Sequence, residues 1–258
     1  MSVLFLIFMM AAPQTGASKT EPRWEYRLGS RLPKPVPTTE YKAAEVRKVQ
    51  LHYGECVVKK HPVEARRFVN ATKSEGPDFK KNLNAVGDGF CLAEVTPGND
   101  QSRMQFPGET LQYTLADALV RSEIREPRAG FDNVASLDQP ELVEADYRPK
   151  PGAKITDKLL TQLANDRTKQ ATIVYLAEFG ECVVRKNPIQ AHALLMADPG
   201  SPEEGSALQA IYPSLGGCMT AGQTLKFNRS ILRGTIAMNY YRLALASGPA
   251  PIQAKAPR

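Results

Sequence analysis

Apolar residues recur at intervals of three and four along most of this chain, the spacing of one face of an α-helix. Val46, Val49, Tyr53, Cys56 and Val57 share such a face, which predicts a helix from about residue 39 to Lys60, capped by Thr38 or Thr39. His61-Pro62 ends it, because proline disfavours α geometry in the residue before it. Pro62 then suits the first turn of a second helix, over about 62–72. Phe79, Leu83, Val86 and Phe90 mark a third, leading to Cys91. Residues 95–108 read as a loop through the turn residues Thr96-Pro97-Gly98-Asn99-Asp100. A short Gly108–Tyr113 stretch and a helix over about 114–125, with Leu115, Ala118 and Leu119 on its apolar face, complete this run.

The pattern then breaks and restarts. Pro127, Gly130, Pro140, Pro149, Pro151 and Gly152 interrupt any long element, so 126–155 reads as a linker, held to the surface by Phe131, Val134 and Leu137. Leu159, Leu160 and Leu163 predict a helix over about 156–165. Asp166 can cap the next, 167–186, whose face is Ile173, Leu176, Phe179, Cys182 and Val183. Asn187-Pro188 is a stop and restart, with Asn as cap and Pro at the first helical position. Ser201-Pro202-Glu203-Glu204 forms a capping box for a helix carrying Ala207, Leu208, Ile211 and Leu215 toward Cys218. After a Gly222–Phe227 loop, Asn228 caps a last helix over 229–246. Strand signals are nearly absent, so the fold class is all-α.

The restart is a repetition. Residues 54–62 read Gly-Glu-Cys-Val-Val-Lys-Lys-His-Pro and residues 180–188 read Gly-Glu-Cys-Val-Val-Arg-Lys-Asn-Pro, from Gly54 to Gly180 an offset of 126 residues. That length fits one small domain and predicts two tandem homologous helical domains, 39–125 and 156–246. Each holds two cysteines: Cys56 and Cys91 are 35 residues apart, Cys182 and Cys218 are 36 apart. Four cysteines allow three pairings. The repetition selects Cys56 with Cys91 and Cys182 with Cys218, since both units must be satisfied alike. By the chain-entropy argument each bond is worth about 3–4 kcal/mol. Gly54 and Gly180 sit inside helices, where glycine costs about 1 kcal/mol against alanine. Close helix approach beside each disulfide is the expected compensation.

The two ends change the picture of where the protein works. Ser2 to Ala12 is an apolar run too short to span a bilayer, followed by small residues, with Thr15-Gly16-Ala17 as a cleavage site. Residues 1–17 therefore read as a signal peptide, which with paired cysteines predicts a periplasmic or secreted protein. A Pro-rich lead-in, 18–38, carries Trp24 and Tyr26, and a proline-bearing tail, 247–258, is expected to be disordered. No later stretch is apolar enough for a transmembrane segment in the mature chain. The net charge of +6 comes from 33 basic residues interspersed with 27 acidic ones. No block of like charge stands out, so nucleic acid is not the expected partner. An envelope component or a protein partner is.

Catalytic, cofactor and metal chemistry find no foothold in the pattern. Zinc sites want closely spaced Cys or His pairs, and His52, His61 and His192 with these cysteines do not supply them. A redox dithiol motif is missing, and Asn187 stands where a histidine partner would have to match His61. Glu55 and Glu181, shared by both units, could each act as an acid or base, but no nucleophile set, phosphate loop or dinucleotide fingerprint accompanies them. The sequence favours a non-enzymatic binding or structural module, with an envelope-acting hydrolase as the alternative. One unit holding a polar cluster that the other lacks would be the sign of an enzyme.

The repeated Gly-Glu-Cys-Val-Val, the Ala191-x-x-Leu194-Leu195 and Pro199-Gly200-Ser201 that follow it, Cys218, the Gly222-x-x-Leu225-x-Phe227 loop and the closing Leu232-Arg233-Gly234 helix carry a resemblance. Together they resemble a family of uncharacterised exported proteins from sphingomonad-type bacteria. The likeness spans about 39–125 and 156–246 and is stronger in the second unit. It implies export and duplication, and it transfers no catalytic residue.

Overall fold

In a computed structural model, the structure describes residues 43–71, 77–96, 106, 109–140, 155–219 and 228–248. Nine α-helices and one 3₁₀ turn make up the secondary structure of these residues, with no strand among them. The helices are α1 (Ala43–Lys60), α2 (Pro62–Val69), α3 (Pro77–Val86), α4 (Gly89–Val95), α5 (Thr110–Glu123), α6 (Asp157–Lys186), α7 (Pro188–Met196), α8 (Pro202–Leu215) and α9 (Arg229–Ala246). The 3₁₀ turn, Gly216–Cys218, follows α8. The all-α reading holds. The signal segment, the lead-in with Trp24 and Tyr26, the caps at Thr38 and Thr39, the Gly222–Phe227 loop and most of the tail lie outside the described residues.

Both disulfides form in the pairing that the repetition selects: Cys56 with Cys91 and Cys182 with Cys218, at Cα separations of 5.6 and 5.7 Å. Cys56–Cys91 ties α1 to α4, and Cys182–Cys218 ties α6 to the 3₁₀ turn. The glycines beside them give the room that their helices require. At Gly54 a Cβ would stand 2.9 Å from the Thr114 carbonyl oxygen of α5. At Gly180 it would stand 2.9 Å from the Thr235 carbonyl oxygen of α9 and overlap the Thr235 and Asn239 side chains. The same residue of the repeated stretch thus meets a threonine of the closing helix in each half.

The segment 126–155 does not divide the packing. All described residues belong to one compact unit, Tyr41–Arg258. Their buried side chains form one hydrophobic cluster, from Tyr53 and Val57 of α1 through Leu115 and Leu119 of α5 to Ile236 and Tyr240 of α9. The α5–α9 pair is the most extensive helix contact and joins the two halves. It closes tightly because Gly234 faces Tyr113, where a Cβ would stand 2.6 Å from Cγ of the ring. Residues 131–140, a turn over Phe131–Val134 followed by an irregular run, cross α6 and α9. Arg185 donates to the Phe131, Val134 and Ala135 carbonyls, and Arg242 donates to the Asp138 carbonyl. Phe131 is buried and meets Tyr240 edge-on, so the linker's apolar residues are structural.

Several element boundaries differ from the sequence pattern, each for a local reason. The third helix is two helices, because Asp88 caps α4: its Oδ1 accepts from the Phe90 and Cys91 backbone N–H groups at 2.7 and 3.0 Å. Phe90 consequently points out, 81% exposed, with the Lys60 ammonium 5.3 Å from its ring centroid. On α1 the buried side chains are Leu51, Tyr53, Val57 and Val58, while Val46 is exposed. The fifth helix starts at Thr110, inside the stretch read as a loop. Residues 157–186 form one 30-residue helix, with Thr156 rather than Asp166 as its cap. Nothing at Asp166 forces a break, and the flanking Leu, Ala, Gln, Lys and Arg are good helix formers.

Candidate functional site

The charged groups that the fold buries lie where the two halves meet. Arg233 of α9 is 4% exposed. Its Nε donates to Asp117 Oδ2 at 2.6 Å and its Nη2 to Asp117 Oδ1 at 3.2 Å, a two-point contact with a carboxylate of α5. Its Nη1 and Nη2 also donate to the Leu194 and Leu195 carbonyls at the end of α7, at 2.8 and 2.9 Å. The Nη1 lies 3.4 Å from Glu204 Oε1 of α8. Glu204 has no exposed surface. Its Oε1 accepts from Arg47 Nη1 of α1 at 2.5 Å and its Oε2 from the Gly200 N–H at 2.8 Å. Arg121 extends the ladder: its guanidinium lies 3.9 Å from Asp117, donates to the Ala197 carbonyl at 2.6 Å and pairs with Asp198 at 3.3 Å.

Local structure explains the placement. Arg233 and Asp117 are each buried within a closing helix, Arg233 with Ile236 and Ala237 on its face and Asp117 with Thr114, Val120 and Arg121 on its own. The α5–α9 contact therefore brings opposite charges together inside the core. Glu204 is the third helical residue of the Ser201 capping box. The Ser201 hydroxyl accepts from the Glu204 N–H at 3.2 Å, while the Glu204 carboxylate reaches back to the Gly200 N–H. Burial alone would raise the Glu204 carboxyl. The Arg47 hydrogen bond, the Gly200 N–H and the charges of Arg47 and Arg233 outweigh it and hold the group below the usual carboxylate range. Burial would likewise lower Arg233, and Asp117 and then Glu204 reverse that.

A small cleft of about 40 Å³ opens beside the ladder, with Arg47, Gln50, Tyr113, Asp117, Ser230 and Arg233 among its lining residues. The ladder draws on both halves, Arg47, Asp117 and Arg121 from one and Glu204 and Arg233 from the other, so it is not a cluster that one unit holds and the other lacks. Its chemistry is that of a staple. Each carboxylate faces a guanidinium, and Glu204 has both oxygens occupied, one of them by arginine. Glu204, held ionised in this way, is a weak base and no acid at neutral pH.

The residues singled out in the sequence go to separate places. Glu181 is buried and accepts from Arg185 Nη2 at 2.7 Å, the Leu137 N–H at 3.0 Å and Gln139 Nε2 at 2.6 Å. It therefore anchors the 131–140 segment. Glu55, at the matching position, is half-exposed and 3.9 Å from Arg121. His192 is buried, with Nε2 2.8 Å from the Ile124 carbonyl, and His52 is exposed. Asn187 does not cap α7 with its side chain. Its Nδ2 donates to the Val183 carbonyl and its Oδ1 accepts from the Ser214 hydroxyl. Among the described residues no group of three or more His, Cys, Asp or Glu is placed to hold a metal ion, and no helix is long and apolar enough to cross a membrane.

His61 Nε2 lies 2.9 Å from Asp88 Oδ2. Asp88 thus joins the start of α2 to the start of α4 beside Cys91. The His61 hydrogen bond first, then the Cys91 N–H, holds its carboxyl below the ordinary value. A carboxyl lowered on folding contributes stability above the unfolded-state value, about 3.9 for Asp, and loses it as pH falls through the folded value. Asp88→Ala is expected to cost about 1 kcal/mol at pH 7, the usual worth of a cap. Urea midpoints measured from pH 7 down to pH 2 check this. The gap between wild type and variant should close on the acid side, and a gap that persists at pH 2 would contradict the assignment.

Comparison of the chain with protein-family models, curated proteins and solved structures finds no match.

Proposed function

We propose that this protein is an exported, internally duplicated helical module of the bacterial envelope that binds or braces rather than catalyses, with an envelope component or another protein as its partner. The observation that carries the reading is the pair of disulfides, one in each half. Such bonds form and persist in oxidising compartments, and the apolar N-terminal run followed by small residues supports the same address. The duplication is supported by matched packing. Gly54 meets Thr114 and Gly180 meets Thr235, and each repeated cysteine is stapled to a partner 35 or 36 residues on. Paired charges and clamped segments then make a rigid body, whose exposed side chains Phe90 and Tyr212 offer apolar contact to a partner.

The test uses the full chain in a diderm bacterium. Cells are fractionated and unreduced protein is treated with a thiol-reactive polymer, while a photo-reactive residue at Tyr212 reports neighbours. Export predicts a shortened chain outside the cytoplasm with no reactive thiol, and binding predicts a discrete cross-linked species. A cytoplasmic chain with four reactive thiols would overturn export. An exported chain without any adduct from Tyr212 or, in a second variant, Phe90 would overturn the binding reading.

A further inference from the structure

The two disulfides occupy matching positions in the repetition but different surroundings. Cys91 is fully buried and Cys56 is partly exposed, so an incoming thiolate can reach only Cys56. Attack there must expel Cys91 as a thiolate inside an apolar core, where burial raises a thiol's pKa and makes it a poor leaving group. The reachable sulfur is also guarded: Glu94 Oε2 lies 3.3 Å from Cys56 Sγ and repels an anionic nucleophile. In the other half both Cys182 and Cys218 are partly exposed. Either sulfur can be attacked, and either can leave at the solvent edge.

The charge beside the second bond has the opposite sign. Lys186 lies one helical turn after Cys182, and its Nζ donates to the Gly217 carbonyl, next to Cys218, at 2.8 Å. An ammonium there attracts an approaching thiolate and stabilises the departing one. Its counterpart in the repetition, Lys60, lies over the Phe90 ring instead of bonding a backbone carbonyl beside the second cysteine. The same lysine of the repeated stretch is thus fixed beside the second disulfide by a hydrogen bond and is held at the first by a ring contact alone, with Glu94 closer to the sulfur.

We infer that Cys182–Cys218 is a thiol–disulfide exchange site for a dithiol reductant, while Cys56–Cys91 is a permanent staple. A thiolate of the dithiol attacks one of the two sulfurs. The S–S bond breaks, its electron pair leaves on the other cysteine, and a mixed disulfide forms. The second thiol of the dithiol, once deprotonated, closes onto the first and releases the remaining cysteine as a thiolate, and solvent protonates both. The dithiol ends as a disulfide, and the protein gains two electrons and two protons. Exchange frees α6 from the 3₁₀ turn without unseating α8, which keeps Ile211 and Leu215 in the core and the Ser214–Asn187 hydrogen bond.

The oxidised full chain is treated with dithiothreitol in native buffer, quenched in acid at intervals, alkylated and digested, and labelling at each cysteine is read by mass spectrometry. Cys182 and Cys218 should be labelled about tenfold faster than Cys56 and Cys91, given the difference in access and leaving group. In guanidinium the two bonds should open at similar rates. Lys186→Gln should slow the second bond several-fold, and Glu94→Gln should quicken the first by a similar factor. Equal rates in native buffer, earlier opening of Cys56–Cys91, a tenfold difference that survives in guanidinium, or two variants that leave both rates unmoved would each overturn the inference. None of these readouts depends on where the protein resides, so failure here is distinct from failure of export.

Discussion

Arg233→Met is expected to lower folding stability by about 3–5 kcal/mol, the usual consequence of removing one partner from a buried ion pair. Methionine fills much of the space that the arginine stem occupies, so lost packing is the smaller part. The larger part is what remains. Asp117 loses both hydrogen bonds from Arg233 and, among the described residues, is left with Arg121 at 3.9 Å. The Leu194 and Leu195 carbonyls lose donors in the core, and Glu204 keeps Arg47 but loses the second positive charge. The melting temperature should fall by on the order of 10 °C for a protein of this size. Calorimetry of the full chain, with both disulfides confirmed intact, checks it.

The double variant Arg233→Met, Asp117→Leu separates charge from shape. Replacing both ends of a buried pair with apolar residues is often neutral, because desolvation is then removed along with attraction. It should therefore regain about half of the loss, since an unpaired buried carboxylate is its main source. If the double variant is as unstable as the sum of the single ones, the two residues do not act as a pair. The halves are then joined at the ladder by Arg47 with Glu204 and by Arg121 with the Ala197 carbonyl and Asp198.

The sequence carries different parts of this structure to different degrees. Disulfide pairing was legible because a repeated stretch constrains both halves at once. The α8 and α9 starts were legible because Ser201 and Asn228 cap in their own immediate neighbourhood, each accepting from an N–H three residues on. Asp88 was missed although it also caps, because the apolar spacing from Phe79 to Phe90 runs straight across it. Helical periodicity alone cannot distinguish one helix from two in the same register. Asp166 failed in the opposite direction: a residue able to cap does so only where the backbone leaves the helix, and here it continues. Hardest to foresee was the ladder. A charge in a helix with many apolar residues, such as Asp117 or Arg233, signals burial with a partner, but the main partner lies 116 residues away and is chosen by the α5–α9 contact. The partners of the 131–140 segment follow from the same kind of long-range choice. Glu181 and Arg185 of the repeated stretch fix that segment against α6, with Phe131 alone reaching the core.

Gly180→Ala should destabilise the protein by about 2 kcal/mol, whereas Gly54→Ala should change it by less than about 1 kcal/mol, although both replace the same residue of the repetition. Each gains about 1 kcal/mol of helix propensity. The difference is in what the new methyl meets. At Gly54 the neighbours are the Thr114 carbonyl oxygen at 2.9 Å, Thr114 Cγ2 at 3.0 Å and Ala118 Cβ at 3.3 Å, so α1 and α5 must part, but no side chain is overlapped as deeply as at Gly180. At Gly180 the methyl overlaps Thr235 Cγ2 and Asn239 Nδ2 and approaches the Thr235 carbonyl oxygen to 2.9 Å. Neither side chain can swing away cheaply. Thr235 is β-branched and restricted at χ1, and the Asn239 amide donates to the Thr235 carbonyl while its oxygen accepts from Gln139. The strain should therefore pass into the Glu181–Gln139 anchor and loosen the 131–140 segment. Thr235→Ser removes the Cγ2 methyl and should restore part of the Gly180→Ala loss. Urea unfolding of the two single variants and of the Gly180→Ala, Thr235→Ser pair measures this. Equal losses at Gly54 and Gly180, or no recovery in the pair, would show that helix approach beside the second disulfide is not what the glycine provides.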